Sequence, residues 1–94
     1  MTVKYDPSLL RKLKKVDVRV RKHFKKAVST FTKDPFNPKL NNHPLGREYQ
    51  GYRSIDVTNN WRALYTEKIE GDDTVAFFVV LGMHDELYKK PLTD

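Results

Sequence analysis

YRSIDVTNNWRALYTEKIEGDDTVAFFVVL, residues 52–81, reads as three strands joined by two tight turns. Tyr52 to Val57 alternates polar and apolar side chains, which sets Ser54 and Asp56 on one face and Ile55 and Val57 on the other. Thr58-Asn59-Asn60 has the chemistry of a turn. Trp61 to Ile69 resumes a strand, and Glu70-Gly71-Asp72-Asp73 closes a second hairpin. Thr74 to Leu81 is apolar at nearly every position, which predicts a central strand covered on both faces. An antiparallel meander of this kind needs a second layer against its apolar side.

The upstream half supplies that layer. Thr2-Val3-Lys4-Tyr5 alternates like a short first strand. Asp6-Pro7-Ser8 then offers an N-cap acceptor and a proline suited to the first helical turn. Leu9, Leu10, Leu13 and Val16 follow at helical spacing. A second helix starts at Asp17, with Val20, Phe24, Ala27, Val28 and Phe31 forming one stripe and Lys and Arg filling the opposite face. Pro35 ends it, and Asp34-Pro35-Phe36-Asn37-Pro38 is a stiff connector. The expected order is β-α-α-β-β-β, an α+β fold of two helices on one face of a twisted, mainly antiparallel sheet. Ninety-four residues suit one domain, 1–94.

Eighteen Lys and Arg against 12 Asp and Glu give a formal charge of +6, which favours an anionic partner such as nucleic acid. Without cysteine, disulfides and thiolate metal sites are excluded, and a cytoplasmic location is expected. The amino terminus carries no apolar core of the roughly 7–15 residues a secretory signal uses. Val75 to Leu81 is the longest apolar run, too short for a bilayer, so no membrane partner is expected.

Three polar clusters carry the candidate chemistry. In Asn42-His43-Pro44-Leu45-Gly46, proline and glycine fix a loop that holds His43. Tyr52 to Arg62 contains Arg53, Asp56, Asn60, Trp61 and Arg62. Gly82-Met83-His84-Asp85-Glu86-Leu87-Tyr88 projects an imidazole from the end of a buried strand, with Tyr88 four residues on. Cleavage of RNA needs one group to take the proton from a ribose 2′-hydroxyl, another to protonate the departing 5′-oxygen, and donors around the phosphorus. His84, His43 and Asp56 can exchange protons; Arg62 and Arg53 offer planar donors matched to phosphate. Tyr88 and Trp61 can stack on bases. The scheme requires neither metal nor cofactor. Each residue also has a plainer role open to it: Trp61 can fill the core, Asp56 can pair with an arginine across the hairpin, and Lys14 and Lys15 can be a solvated helix face.

Taken together, Asn42-His43-Pro44-Leu45, Gly51-Tyr52-Arg53-Ser54-Ile55-Asp56-Val57, Trp61-Arg62-Ala63-Leu64-Tyr65 and Leu81 to Tyr88 resemble the YafQ branch of the RelE-like toxins. The likeness runs from Thr2 to about Tyr88. It implies an α+β toxin of a type II toxin–antitoxin system, acting as a metal-independent endoribonuclease on mRNA in the ribosomal A site. It also implies a cognate antitoxin that masks the site, with operator DNA met only through that complex. By the same likeness, His84 is the general acid, and Asp56 or His43 is the base or its orienting partner. Arg62 with Arg53 forms the phosphate clamp, and Tyr88 positions the substrate. RNA contacts fall to Arg53, Trp61, Asn60, Lys14 and Lys15. Asp56 stands where YafQ-like members often have histidine, and Asn60 where they often have aspartate, which implies a slower enzyme. Two other functions compete: a ParE-like inhibitor of DNA gyrase, and a non-catalytic module that acts with its antitoxin as a DNA-binding co-repressor.

Overall fold

The structure, a computed structural model, describes residues 1–88. Its elements follow the expected order, with β1 at Thr2–Tyr5, α1 at Pro7–Lys15, α2 at Val18–Lys33, β3 at Arg53–Asp56, β4 at Trp61–Glu70 and β5 at Asp73–Met83. Strand β2 at His43–Pro44 is additional, and a short terminal helix, α3 at His84–Tyr88, follows β5. The sheet order is β1-β5-β4-β3-β2. β1 runs parallel to β5, and every other pair is antiparallel.

Both long helices begin where the sequence places their caps. Asp6 accepts from the Ser8 N–H and hydroxyl, and Asp17 accepts from the Arg19 N–H. The two N–H bonds each satisfy a backbone donor that an open helix end leaves orphaned. The Ser8 bonds also hold the Asp6 carboxyl below its usual range. Along α2, Val20, Phe24, Ala27, Val28 and Phe31 are all buried. Phe31 is the hub, meeting Tyr65 edge-on at 4.9 Å and Phe78 edge-on at 5.3 Å between centroids. Leu9, Ile55, Ala63 and Ala76 complete the same core. Among the described residues, no helix is long and apolar enough to cross a membrane.

A register shift in the β4–β5 ladder sets which residues reach the other face. Leu64 pairs with Val80 and Tyr65 with Phe78, so Val79 is the extra residue of a bulge. Ala76 and Phe78 face the helices before it, and Leu81 does so after it. Without the bulge, strict alternation would turn Val80 and Gly82 to the helices. With it, Gly82 lies opposite Arg62 on the face the helices leave open. The expectation of a β5 buried on both sides is thereby corrected. β5 is flanked by β1 and β4, but Phe77, Val79 and Val80 are only partly buried because no long helix covers that side.

Candidate functional site

The open face of the sheet is built from β2, β3, β4 and α3. His43 is not in a loop; it is the cross-strand partner of Ser54 in β2, so the two side chains share a face. Proline is tolerated in so short a strand because it lies at the sheet edge. His43 Nδ1 lies 2.7 Å from the Asn41 carbonyl. A carbonyl can only accept, so Nδ1 carries the proton and, in the neutral ring, Nε2 keeps its lone pair. Ser54 is fully buried, and Tyr88 reaches over it, with its hydroxyl 3.4 Å from Ser54 Oγ. His84 packs against the Tyr88 ring at 4.7 Å between centroids. A continuous line therefore runs from His43 through Ser54 and Tyr88 to His84.

Local contacts explain why α3 sits there. The His84 N–H donates to the Asn60 carbonyl at 2.7 Å, pinning the helix start to the β3–β4 turn. Glu86 accepts from the Met83 N–H at 2.8 Å. Gly82 lets the helix lie close: a Cβ there would stand 3.0 Å from Leu87 Cδ2. The His84 side chain stays about half exposed, and its contact with the Asp85 carboxylate is a long 3.4 Å. Asn59, Asn60, Arg62, Met83, His84 and Asp85 line a small cleft beside it, of about 240 Å3.

Asp56 and Arg62 occupy the same face but are committed to each other. Arg62 Nε stands 3.0 Å from Asp56 Oδ1, with both side chains largely covered. The approach is an ion pair without a well-aimed hydrogen bond, because Oδ1 is buried and receives no donor. Arg62 Nη1 lies within donating distance of three carbonyls, those of Thr58 at 2.8 Å, Asn59 at 3.1 Å and Trp61 at 3.1 Å. The guanidinium thus braces the turn that anchors His84.

Four expected site residues lie elsewhere. Arg53 pairs with Tyr65 and so leaves β3 on the helix side. There its Nε donates to Asn42 Oδ1 at 2.8 Å and its guanidinium covers the Phe36 ring at 5.2 Å. Arg53 and Arg62 therefore cannot close on one phosphate. Trp61 packs against the core beneath Lys12, whose ammonium is 5.8 Å from the ring centroid; burial of its large apolar surface outweighs display. Lys14 and Lys15 end α1, in the helical layer, and neither side chain makes a hydrogen bond or ion pair to a site residue among the described residues. Asn60 does reach the site, but it bonds His84 through its backbone carbonyl.

Sequence reasoning passed over the segment Arg47–Tyr49, a 3-10 turn facing α3. With Tyr88, its three side chains line a cleft of about 400 Å3. Its one sequence signal is a pair of tyrosines, Tyr49 and Tyr52, bracketed by Gly46 and Gly51. Among the described residues, no group of three metal-ligating side chains converges here or elsewhere.

No protein-family model matches the chain, and no curated protein sequence matches it. Solved structures do. The YoeB/ParE toxin from Agrobacterium tumefaciens superposes with a TM-score of 0.71 at 18% identity, covering 89% of this chain and 99% of its own. YafQ from E. coli gives 0.71 at 19% identity, covering 93% and 97%. The toxin–antitoxin complex RelBE2 from Mycobacterium tuberculosis gives 0.59 at 25% identity, covering 88% and 96%. The fold is the one these RelE-like toxins share.

Proposed function

We propose that this chain, having the fold of the YoeB/ParE, YafQ and RelE toxins, is the toxin of a type II toxin–antitoxin system and cleaves mRNA on the ribosome. The observation that carries the reading is the line of His43, Ser54, Tyr88 and His84 on the open face. Two imidazoles flanking a tyrosine provide both halves of a proton transfer near neutral pH. His43 is the base: its Nε2 lone pair takes the 2′-hydroxyl proton, and the 2′-oxygen attacks phosphorus. His84 is the acid: it gives a proton to the 5′-oxygen as the P–O5′ bond breaks, leaving a 2′,3′-cyclic phosphate. Tyr88 lies between them and positions the ribose. Asp56 is neutralised by Arg62 and is not the base; Arg62 acts as a positioning residue for His84. Arg47, exposed on the adjoining cleft, is the cation available to the phosphate. A cognate antitoxin in the cytoplasm covers this face, and operator DNA is met only through that complex.

Induction of the chain without antitoxin, followed by mapping of mRNA 5′ ends, tests the reading. New ends are expected within coding regions. His84→Ala should lower their yield by about 10²–10⁴-fold, the range for loss of a general acid, with the fold intact. Equal toxicity and equal cleavage by that variant sink the assignment. A ParE-like action on DNA gyrase is the second reading, favoured by the commitment of Arg62 to Asp56 and to turn carbonyls. A DNA-damage response with intact mRNA selects it.

A further inference from the structure

We propose that the cleft between the Arg47–Tyr49 turn and α3 holds one unstacked nucleobase of the RNA, and that Glu48 reads its edge with a preference for guanine. The proposal rests on the RNA-cleaving reading above and adds a determinant of sequence choice. At about 400 Å3, the cleft lies within the roughly 300–1,000 Å3 range of small-ligand sites. Tyr49 and Tyr88 line it with their rings near perpendicular, 6.2 Å between centroids at 83°. A planar base stacked on one ring meets the other at its edge, and such stacking is tolerant of base identity.

Identity then depends on polar groups at the rim, where two carboxylates stand. Glu86 is engaged, accepting from the Met83 N–H and lying 3.8 Å from Lys12 Nζ. Glu48 is exposed and, among the described residues, has no ion-pair partner. A carboxylate repels phosphate, so on an RNA-binding surface the contacts open to it are hydroxyls and base N–H groups. The Watson–Crick edge of guanine presents two adjacent donors, N1–H and N2–H, which match the two oxygens of one carboxylate. Adenine and cytosine offer one amino group beside an acceptor, and uracil one imino group between two acceptors. Guanine is the base Glu48 satisfies fully.

The turn that carries Glu48 is fixed before substrate arrives. Arg47 holds a left-handed φ of 56°, a conformation unfavourable to a residue with a side chain. Tyr49 N–H to Gly46 O at 3.1 Å, Gln50 N–H to Arg47 O at 3.0 Å and Leu45 N–H to Tyr52 O at 2.9 Å hold it there.

The test uses the purified full chain and four short 2′-O-methyl RNA oligonucleotides, alike except for G, A, C or U at one central position. The 2′-O-methyl group blocks cleavage, so binding is read alone by fluorescence anisotropy. Wild type should bind the G oligonucleotide roughly tenfold more tightly than the others, the scale of one bidentate base contact. Glu48→Gln offers one donor and one acceptor, a pair that the edge of every base can match, so the G preference should disappear while binding of the A, C and U oligonucleotides is kept. Loss of the preference with that binding retained cannot come from misfolding. Tyr49→Ala should weaken all four about equally, by roughly tenfold, as loss of a stacking platform does. Equal binding of the four by wild type, or a G preference unchanged in Glu48→Gln, overturns the proposal. If the matching 2′-hydroxyl RNAs are nonetheless cleaved, the proposed function stands without it. Absence of binding to any oligonucleotide and of cleavage of any RNA overturns both.

Discussion

Arg53 and Arg62 leave one hairpin on opposite sides, and each has been absorbed by its side. On the helix face, Arg53 lies over Phe36 and ties Asn42 to the sheet. Asn42 in turn donates to the Pro35 carbonyl and to the Tyr65 hydroxyl. That network seals the rim of a core made of interlocked aromatic rings. On the open face, Arg62 pairs with Asp56 and braces a turn, while imidazole and phenol groups beside it remain accessible. One face spends its polar groups on closing a core. The other leaves two imidazoles and a tyrosine open to solvent while its arginine is held by Asp56 and the turn carbonyls. The lesson is that a cation on a sheet is not a binding group by virtue of its charge; the face and its neighbours decide what it does.

The largest effect that would separate the faces comes from Phe31→Ala. Phe31 is fully buried against Tyr65 and Phe78, so truncation should cost about 3–5 kcal/mol of folding free energy. Urea denaturation measures it. The fraction still folded should cleave RNA at the wild-type rate, because no Phe31 contact reaches the open face. A rate that falls in the folded fraction would show that the two faces are coupled.

Arg62→Ala probes the open face in the opposite sense. It removes the brace from three turn carbonyls and leaves Asp56 Oδ1 buried with no counter-charge. Partial exposure of the pair, 15% and 30%, tempers the loss to about 2–3 kcal/mol, below that of a fully buried ion pair. The double variant Asp56→Ala with Arg62→Ala should regain part of this, since no lone charge remains. Matching thermal melts for the single and double variants check it. A single variant as stable as wild type would mean that Arg62 is not structural and is free to meet phosphate.

How much of this was legible depends on where the sequence has a period. Alternation in residues 52–57 correctly separates Ser54 and Asp56 from Ile55 and Val57. The same rule puts Arg53 with Ile55, and Trp61 on the side away from Arg62. The idea of an Arg53–Arg62 clamp contradicted a pattern already visible. Other features had no period to read. The continuous apolar run of β5 carries no phase, so the bulge at Val79 that turns Gly82 to the open face leaves no mark in it. Strand β2 is two residues long and contains Pro44, too short to alternate. Glu48 and Tyr49 lie in a turn whose geometry, not its composition, brings them to α3. His84 and Tyr88 were legible because helical spacing puts residues four apart on one face.

The smallest effect belongs to the rim of the core. Tyr65 is fully buried in the sheet, yet its hydroxyl accepts a bond of 2.8 Å from Asn42 Nδ2. Tyr65→Phe keeps the ring packed against Phe31 and removes that bond, which should cost about 1 kcal/mol. Burial also raises the Tyr65 pKa above its ordinary 10.0, with the Asn42 bond opposing in part. A group raised in the folded state stabilises it fully below the unfolded pKa and ceases to do so as pH climbs through the folded one. Wild-type stability should therefore fall as pH rises above about 10, and Tyr65→Phe should fall less steeply over the same window. Some slope should persist in the variant, because burial raises Tyr5 as well. Urea midpoints taken from pH 8 upward measure the difference. An alkaline slope identical in the two proteins would mean that Tyr65 ionises as freely folded as unfolded, and that the Arg53–Asn42 seal leaves this rim open to water.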